Sequence, residues 1–139
     1  AGIRGVAPVI RASHYGRVDN YLADADSQIC LLVQIETAAA LNHLEAIANV
    51  DGVDGIFIGP SDLAASLGHI GNPAHADVQA AIRGAVTRLQ AIGKPAGILT
   101  SNTEEARRYI EWGYTFVAVG SDINVLRFGA DALVKKFKQ

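Results

Sequence analysis

The sequence predicts an α/β fold of four strand-helix units sharing one parallel sheet, and three observations carry that reading. Four short apolar runs recur along the 139 residues, each too short for a helix and each bounded by turn residues, the pattern of strands buried on both faces of a parallel sheet. Segments with apolar residues at helical spacing alternate with these runs. Parallel strands joined through helices obey a right-handed crossover, which places the helices outside the sheet.

The first run, residues 29–35, leads into AAALNHLEAIANV, where Leu41, Leu44 and Ile47 or Ala48 share a helix face and Asn42, His43 and Glu45 lie elsewhere. The second, residues 54–59, ends at Gly59 and Pro60 and passes into a short helical turn, SDLAASL, then into the loop GHIGNPAHAD. A long helix from about residue 76 to 92 follows and stops at Gly93. After the third run, residues 95–99, Asn102 or Thr103 can cap a helix whose positive end suits Glu104 and Glu105 and which Gly113 terminates. The fourth, residues 115–120, precedes a last helix with Ile123, Leu126, Ala130, Leu133 and Phe137 at helical spacing. Ahead of all four, RVDNYLADADS reads as a further helix, and GIRGVAPVIRASHYG fits either a strand remnant or a loop.

Two architectures accommodate this order: an open doubly wound sheet, or part of an eight-stranded barrel. No G-x-G-x-x-G follows any of the runs, which removes the main signature of a dinucleotide-binding sheet. Half the residues are hydrophobic and the net charge is −2, so residues 1–139 suit a single domain, with no nucleic acid or anionic membrane expected as partner. The basic cluster at 135–138 fits the C-terminal end of a helix. A single cysteine, Cys30, excludes an intramolecular disulfide; its apolar neighbours predict a core position and a reducing, cytoplasmic setting. No apolar stretch approaches the roughly 20 residues that span a bilayer, and no signal-peptide pattern opens the chain. The chain contains no Met, which suggests a processed or partial product.

In parallel folds, ligands gather where strands end and loops begin. Two of the apolar runs deliver carboxylates there: Gln34 and Glu36 close the first, and Ser61 with Asp62 follow the second. Side chains two apart on a strand share a face, and neighbouring strands lie about 4.8 Å apart, so Glu36 and Asp62 can bracket one divalent ion. Mg²⁺ takes one or two carboxylates and leaves its other positions to water and substrate, which suits chelation of a 2-oxo acid. Gly59 permits close backbone approach, and the turn after it offers N–H groups to an anion. Helix capping by Ser61 or Asp62 is the competing explanation.

His43 is expected on a solvated helix face, and His69 and His75 lie in the long loop, within range of the Asp62 end. Schiff-base chemistry needs a lysine at the functional end of a strand. Lys94 precedes its strand and the remaining lysines sit in the tail, so a metal-dependent route fits better. Neither G-x-S-x-G nor a Walker loop occurs.

Taken together, LLVQIET, GVDGIFIGPSDLAASLGHIGNPAHADV, GKPAGIL and FVAVGSD resemble the HpcH/HpaI family of metal-dependent, class II pyruvate aldolases, above all members acting on sugar-derived acids such as 2-dehydro-3-deoxyglucarate and 2-keto-3-deoxy-L-rhamnonate. The resemblance implies a TIM (β/α)₈ barrel of which this chain is the C-terminal half. It implies Mg²⁺, or Mn²⁺ or Co²⁺, on Glu36 and Asp62, a substrate contact from Gln34, a pyruvate carboxylate held by the amides of Ser61 and Asp62, and an apolar wall at Leu99. It further implies reversible aldol cleavage to pyruvate, or tartronate semialdehyde, plus an aldehyde, in a hexamer whose last helix is exchanged between subunits. The family's base histidine, the aspartate that orients it and an enolate-stabilising arginine belong to the first half of the barrel, so no catalytic residue is assigned in this chain. Open strand edges then predict pairing with that half or with further copies. Two other readings are a folded piece that binds metal and 2-oxo acid without turnover, and an acyl-CoA lyase resembling the citrate lyase β branch.

Overall fold

The computed structural model describes residues 5–138, so the opening of GIRGVAPVIRASHYG lies outside the described residues. The chain divides into two compact units, Ala1–Cys30 and Leu31–Gln139.

The first unit is built of turns. A 3-10 turn spans Arg11–Ser13, a single helical turn, α1, spans Tyr21–Asp24, and a second 3-10 turn spans Asp26–Gln28. Ser13 is buried: its hydroxyl donates to Pro8 O at 2.6 Å and accepts from Gly16 N at 3.1 Å. Residues 5–10, the described part of the segment before it, are therefore loop rather than strand. The helix expected in RVDNYLADADS is reduced to one turn, because Asn20 enters it in the left-handed region at φ 56° and Asn, Asp and Ser side chains compete for backbone groups. Cys30 is exposed, contrary to its expected core position. The first strand begins only at Leu32, which leaves the thiol ahead of the sheet.

In the second unit the strands are β1 Leu32–Ile35, β2 Gly55–Ile58, β3 Ala96–Leu99 and β4 Phe116–Ala118. They pair in the order β1-β2-β3-β4, all parallel, with Ile35 level with Ile58, Ile58 with Ile98, and Leu99 with Ala118. Between them run α2 Ala38–Asn42, α3 Leu44–Ala48, α4 Pro60–Ser66, α5 Ala76–Ala91 and α6 Thr103–Trp112, with α7 Asp122–Phe137 last. The chain from 38 to 48 forms two short helices because the backbone leaves helical geometry at His43, φ −106° and ψ 19°. Leu44 and Ala48 are nonetheless buried and His43 exposed, as the spacing predicts.

One face of the sheet makes the core. Ile35, Ile56, Ile58, Ala96 and Ile98 pack with Leu44, Leu63 and the α5 stripe Val78, Ile82, Val86 and Leu89. The other face is open, which corrects the expectation of burial on both sides: Leu32, Leu99 and Phe116 are 38%, 42% and 53% exposed. Phe57 packs there edge-on to Phe116 with ring centroids 5.8 Å apart, in a space where a Cβ on Gly97 would stand 2.6 Å from Phe57 Cδ2.

Local chemistry fixes the helices. Asn102 accepts from Glu104 N and Glu105 N at the start of α6, and Ser121 caps α7. His75 caps α5 with its imidazole, accepting from Asp77 N at 3.2 Å. Arg88 of α5 grips α3 by donating to both Glu45 carboxylate oxygens, and α2 by donating to Leu41 O at 2.9 Å. Tyr114 donates to Ile82 O at 2.8 Å inside the core. None of the α7 residues is buried. Among the described residues no helix is long and apolar enough to cross a membrane.

Candidate active site

The site is assembled at the C-terminal ends of β1 and β2. Continuing the β1–β2 register one step past Ile35 and Ile58 sets Glu36 level with Gly59. Gly59 N donates to Ile35 O at 3.0 Å, which holds the two strand ends together. Gln34 and Glu36, two apart, share the open face of the sheet, and Gln34 Nε2 donates to Glu36 Oε1 at 2.7 Å.

Both side chains lie directly over Gly59. A Cβ at that position would stand 2.8 Å from Glu36 Cγ, 2.9 Å from Glu36 Oε1 and 3.0 Å from Gln34 Nε2. The glycine is thus needed for the absence of a side chain rather than for an unusual backbone, its φ being −94°. Immediately after it, Pro60 opens α4, with Ser61 and Asp62 in the first turn. Proline suits this position because its missing N–H would have had no helical partner. The side chains of Ser61 and Asp62 do not cap the helix: the N-cap residue is Gly59, which has no side chain to do so. Their own backbone N–H groups belong to the first turn, where no i−4 carbonyl is available to them.

A hollow of about 310 Å³ forms beside these groups, and its wall includes Gln34, Ser61, Asp62 and Leu99 together with Phe57 and Gly59. Four of the five residues singled out from sequence therefore line one space, and the fifth, Glu36, is hydrogen-bonded to Gln34 at its edge. A second hollow of about 240 Å³ shares Pro60, Ser61 and Leu99 and extends to Thr100, Glu105 and Tyr109. Thr100 donates to Glu105 Oε2 at 2.8 Å. Thr100 directly follows β3 as Gly59 follows β2, and position at a strand end was the signal that could have singled it out. His69 and His75 line neither hollow.

A model of the family described as HpcH/HpaI aldolase/citrate lyase matches residues 1–128. The chain belongs to this family. It is 56% identical over 136 residues to a pyruvate aldolase of Rhizobium etli, an alignment that covers 98% of this chain and 54% of the relative. It is 52% identical over 138 residues to a 5-keto-4-deoxy-D-glucarate aldolase of Escherichia coli, covering 99% of this chain and 54% of the relative. The crystal structure of an HpcH/HpaI aldolase/citrate lyase family protein from Burkholderia cenocepacia superimposes with a TM-score of 0.85 at 37% identity, over 99% of this chain and 54% of that one. The chain thus spans about half the length of the curated relatives it matches. The HpcH/HpaI fold, a TIM-type barrel by the resemblance, is represented by its four parallel strands and their helices.

Proposed function

We propose that this chain contributes the metal and carboxylate half of a class II pyruvate aldolase site acting on a 2-keto-3-deoxy sugar acid or a related 4-hydroxy-2-oxo acid. One observation carries the reading: Gln34 and Glu36 lie over Gly59, where a side chain would collide with Glu36, and Gln34 shares a hollow with Ser61 and Asp62. Names of relatives support it, being those of a pyruvate aldolase and a 5-keto-4-deoxy-D-glucarate aldolase.

The donor set fits a hard divalent ion. Glu36 and Asp62 offer carboxylate oxygens only, the preference of Mg²⁺ and Mn²⁺ over softer metals. When bound, such an ion supplies Lewis acidity toward the oxygens of a 2-oxo acid. Glu36 and Asp62 would hold it. The Gln34 amide, donating to Glu36 Oε1, fixes the rotamer of that carboxylate and directs its other oxygen away. The N–H groups of Ser61 and Asp62 orient the substrate carboxylate. Leu99 and Phe57 supply an apolar wall that limits water at the reacting carbon. Proton transfer is left to groups that this chain does not provide.

The open sheet face and the outer edges of β1 and β4 then receive a complementary set of strand-helix units, supported by the chain's span of about half its relatives. The working assembly is a homo-oligomer in a reducing, cytoplasmic compartment, where Cys30 stays free. Calorimetric titration of the chain with Mg²⁺ and pyruvate, paired with an assay of pyruvate release with and without chelator, tests the proposal. Binding abolished by Glu36→Gln or Asp62→Asn supports it. Binding indifferent to both substitutions overturns it. Binding without turnover would identify the chain as a recognition unit that needs its complement for catalysis.

A further inference from the structure

We infer that His69, His75 and Asp77 form a transition-metal site that clips the loop between α4 and α5 onto the start of α5. One ligand atom from each lies within 4.8 Å of the others. His69 Nε2 stands 3.3 Å and His75 Nδ1 3.7 Å from Asp77 Oδ2. Two ligands bonded tetrahedrally to one Zn²⁺ at about 2.0–2.1 Å are separated by about 3.3–3.4 Å, so the carboxylate already stands near coordination distance from both nitrogens.

The surroundings hold the ligands in place. The two imidazoles stack with centroids 3.6 Å apart and planes 14° from parallel. Backbone bonds from His69 N to Ala64 O at 2.8 Å and from His75 N to Asn72 O at 3.1 Å fold the loop back on itself. Gln79 Nε2 pins it to α5 by donating to Pro73 O at 2.9 Å. Loading requires two adjustments: the rings splay from their stack so that their lone pairs converge, and His75 exchanges its bond with Asp77 N for the ion. The released amide sits at an exposed helix start, where water replaces the lost acceptor.

Two imidazoles and one carboxylate select Zn²⁺, Ni²⁺, Co²⁺ or Cu²⁺ over Mg²⁺, so this site takes a different class of ion from Glu36 and Asp62. Three protein ligands leave one position to water. The inference is independent of the aldolase reading, because these residues line neither hollow at the strand ends.

The test is Zn²⁺ titration by calorimetry, with Co²⁺ visible absorption as a second readout, on the full chain carrying Glu36→Gln and with Mg²⁺ in excess. One equivalent of Zn²⁺ is expected to bind. His69→Gln and His75→Asn should each weaken that binding by more than the roughly 10–100-fold that loss of an outer-shell partner costs. Asparagine at 75 preserves an N-cap, and unchanged circular dichroism shows that the fold is kept. Absence of binding, or an affinity left unchanged by both histidine substitutions, overturns the inference.

Discussion

Gln34 Nε2 and Glu36 Oε1 are joined by a 2.7 Å hydrogen bond in the space left by the missing side chain of Gly59. That relationship predicts an unusual sensitivity of the site to a single methyl group. In Gly59→Ala the backbone tolerates alanine, since φ is −94°, yet Glu36 must move off its position. A displacement of about 1 Å at a reacting centre costs on the order of 100-fold. Mg²⁺ and pyruvate affinity should therefore fall while the urea unfolding midpoint barely changes; an equal loss of stability would show that the glycine serves folding instead.

The clamp between α3 and α5 makes a prediction about acid. Hydrogen bonds from Arg88 hold the Glu45 carboxyl well below the ordinary carboxylate range, at about 2. A depressed folded-state pKa contributes stability above the unfolded value, about 4.3, and loses it as pH falls toward the folded one. Urea midpoints of the unaltered chain and of Glu45→Gln should differ near pH 6 and converge as pH drops from about 4.5 to 2. A gap that stays constant with pH would remove the carboxylate's ionisation from the explanation.

Packing on the open face of the sheet yields a third expectation. A Cβ on Gly97 would meet Phe57 Cδ2 at 2.6 Å and Phe116 O at 3.2 Å. The ring of Phe57 can swing away, but it then leaves its contact with Phe116 and the wall of the hollow. Gly97→Ala should destabilise by about 1–3 kcal/mol, the usual cost of overpacking, and weaken 2-oxo acid binding in the same variant. Thermal unfolding with a parallel pyruvate titration would separate the two effects.

Tyr114 offers a control remote from the strand ends. Its buried hydroxyl donates to Ile82 O at 2.8 Å. Tyr114→Phe deletes one buried hydrogen bond and should cost about 1–2 kcal/mol in chemical denaturation, leaving ligand affinity untouched.

Elements legible in the sequence were those whose local and tertiary demands agree. The 76–92 helix appears as Ala76–Ala91, because its apolar stripe and terminal glycine both describe one long amphipathic segment. Asn102 caps α6 as expected, since a side chain reaching the next turn needs no distant partner. Sidedness of the sheet was not legible. Leu32, Leu99 and Phe116 read as core by composition, yet they face the side that the second unit leaves uncovered, and no local pattern reveals how many strands complete a barrel. Cys30 misled for a related reason: the apolar run begins at Ile29, three residues ahead of the strand, which starts at Leu32. In the candidate site, Glu36 and Asp62 stand out in the sequence as carboxylates following apolar runs. The lining by Thr100, Glu105 and Tyr109 depends on how α6 packs beside α5 and β4, which spacing alone does not encode.

Strand order in the sheet is identical to order along the chain. Each strand therefore finds its neighbour by closing only the loop and helix just before it, and no pairing waits for a distant segment. A polypeptide emerging from the ribosome can therefore add one strand at a time to a growing template, each new edge receiving the next strand in sequence.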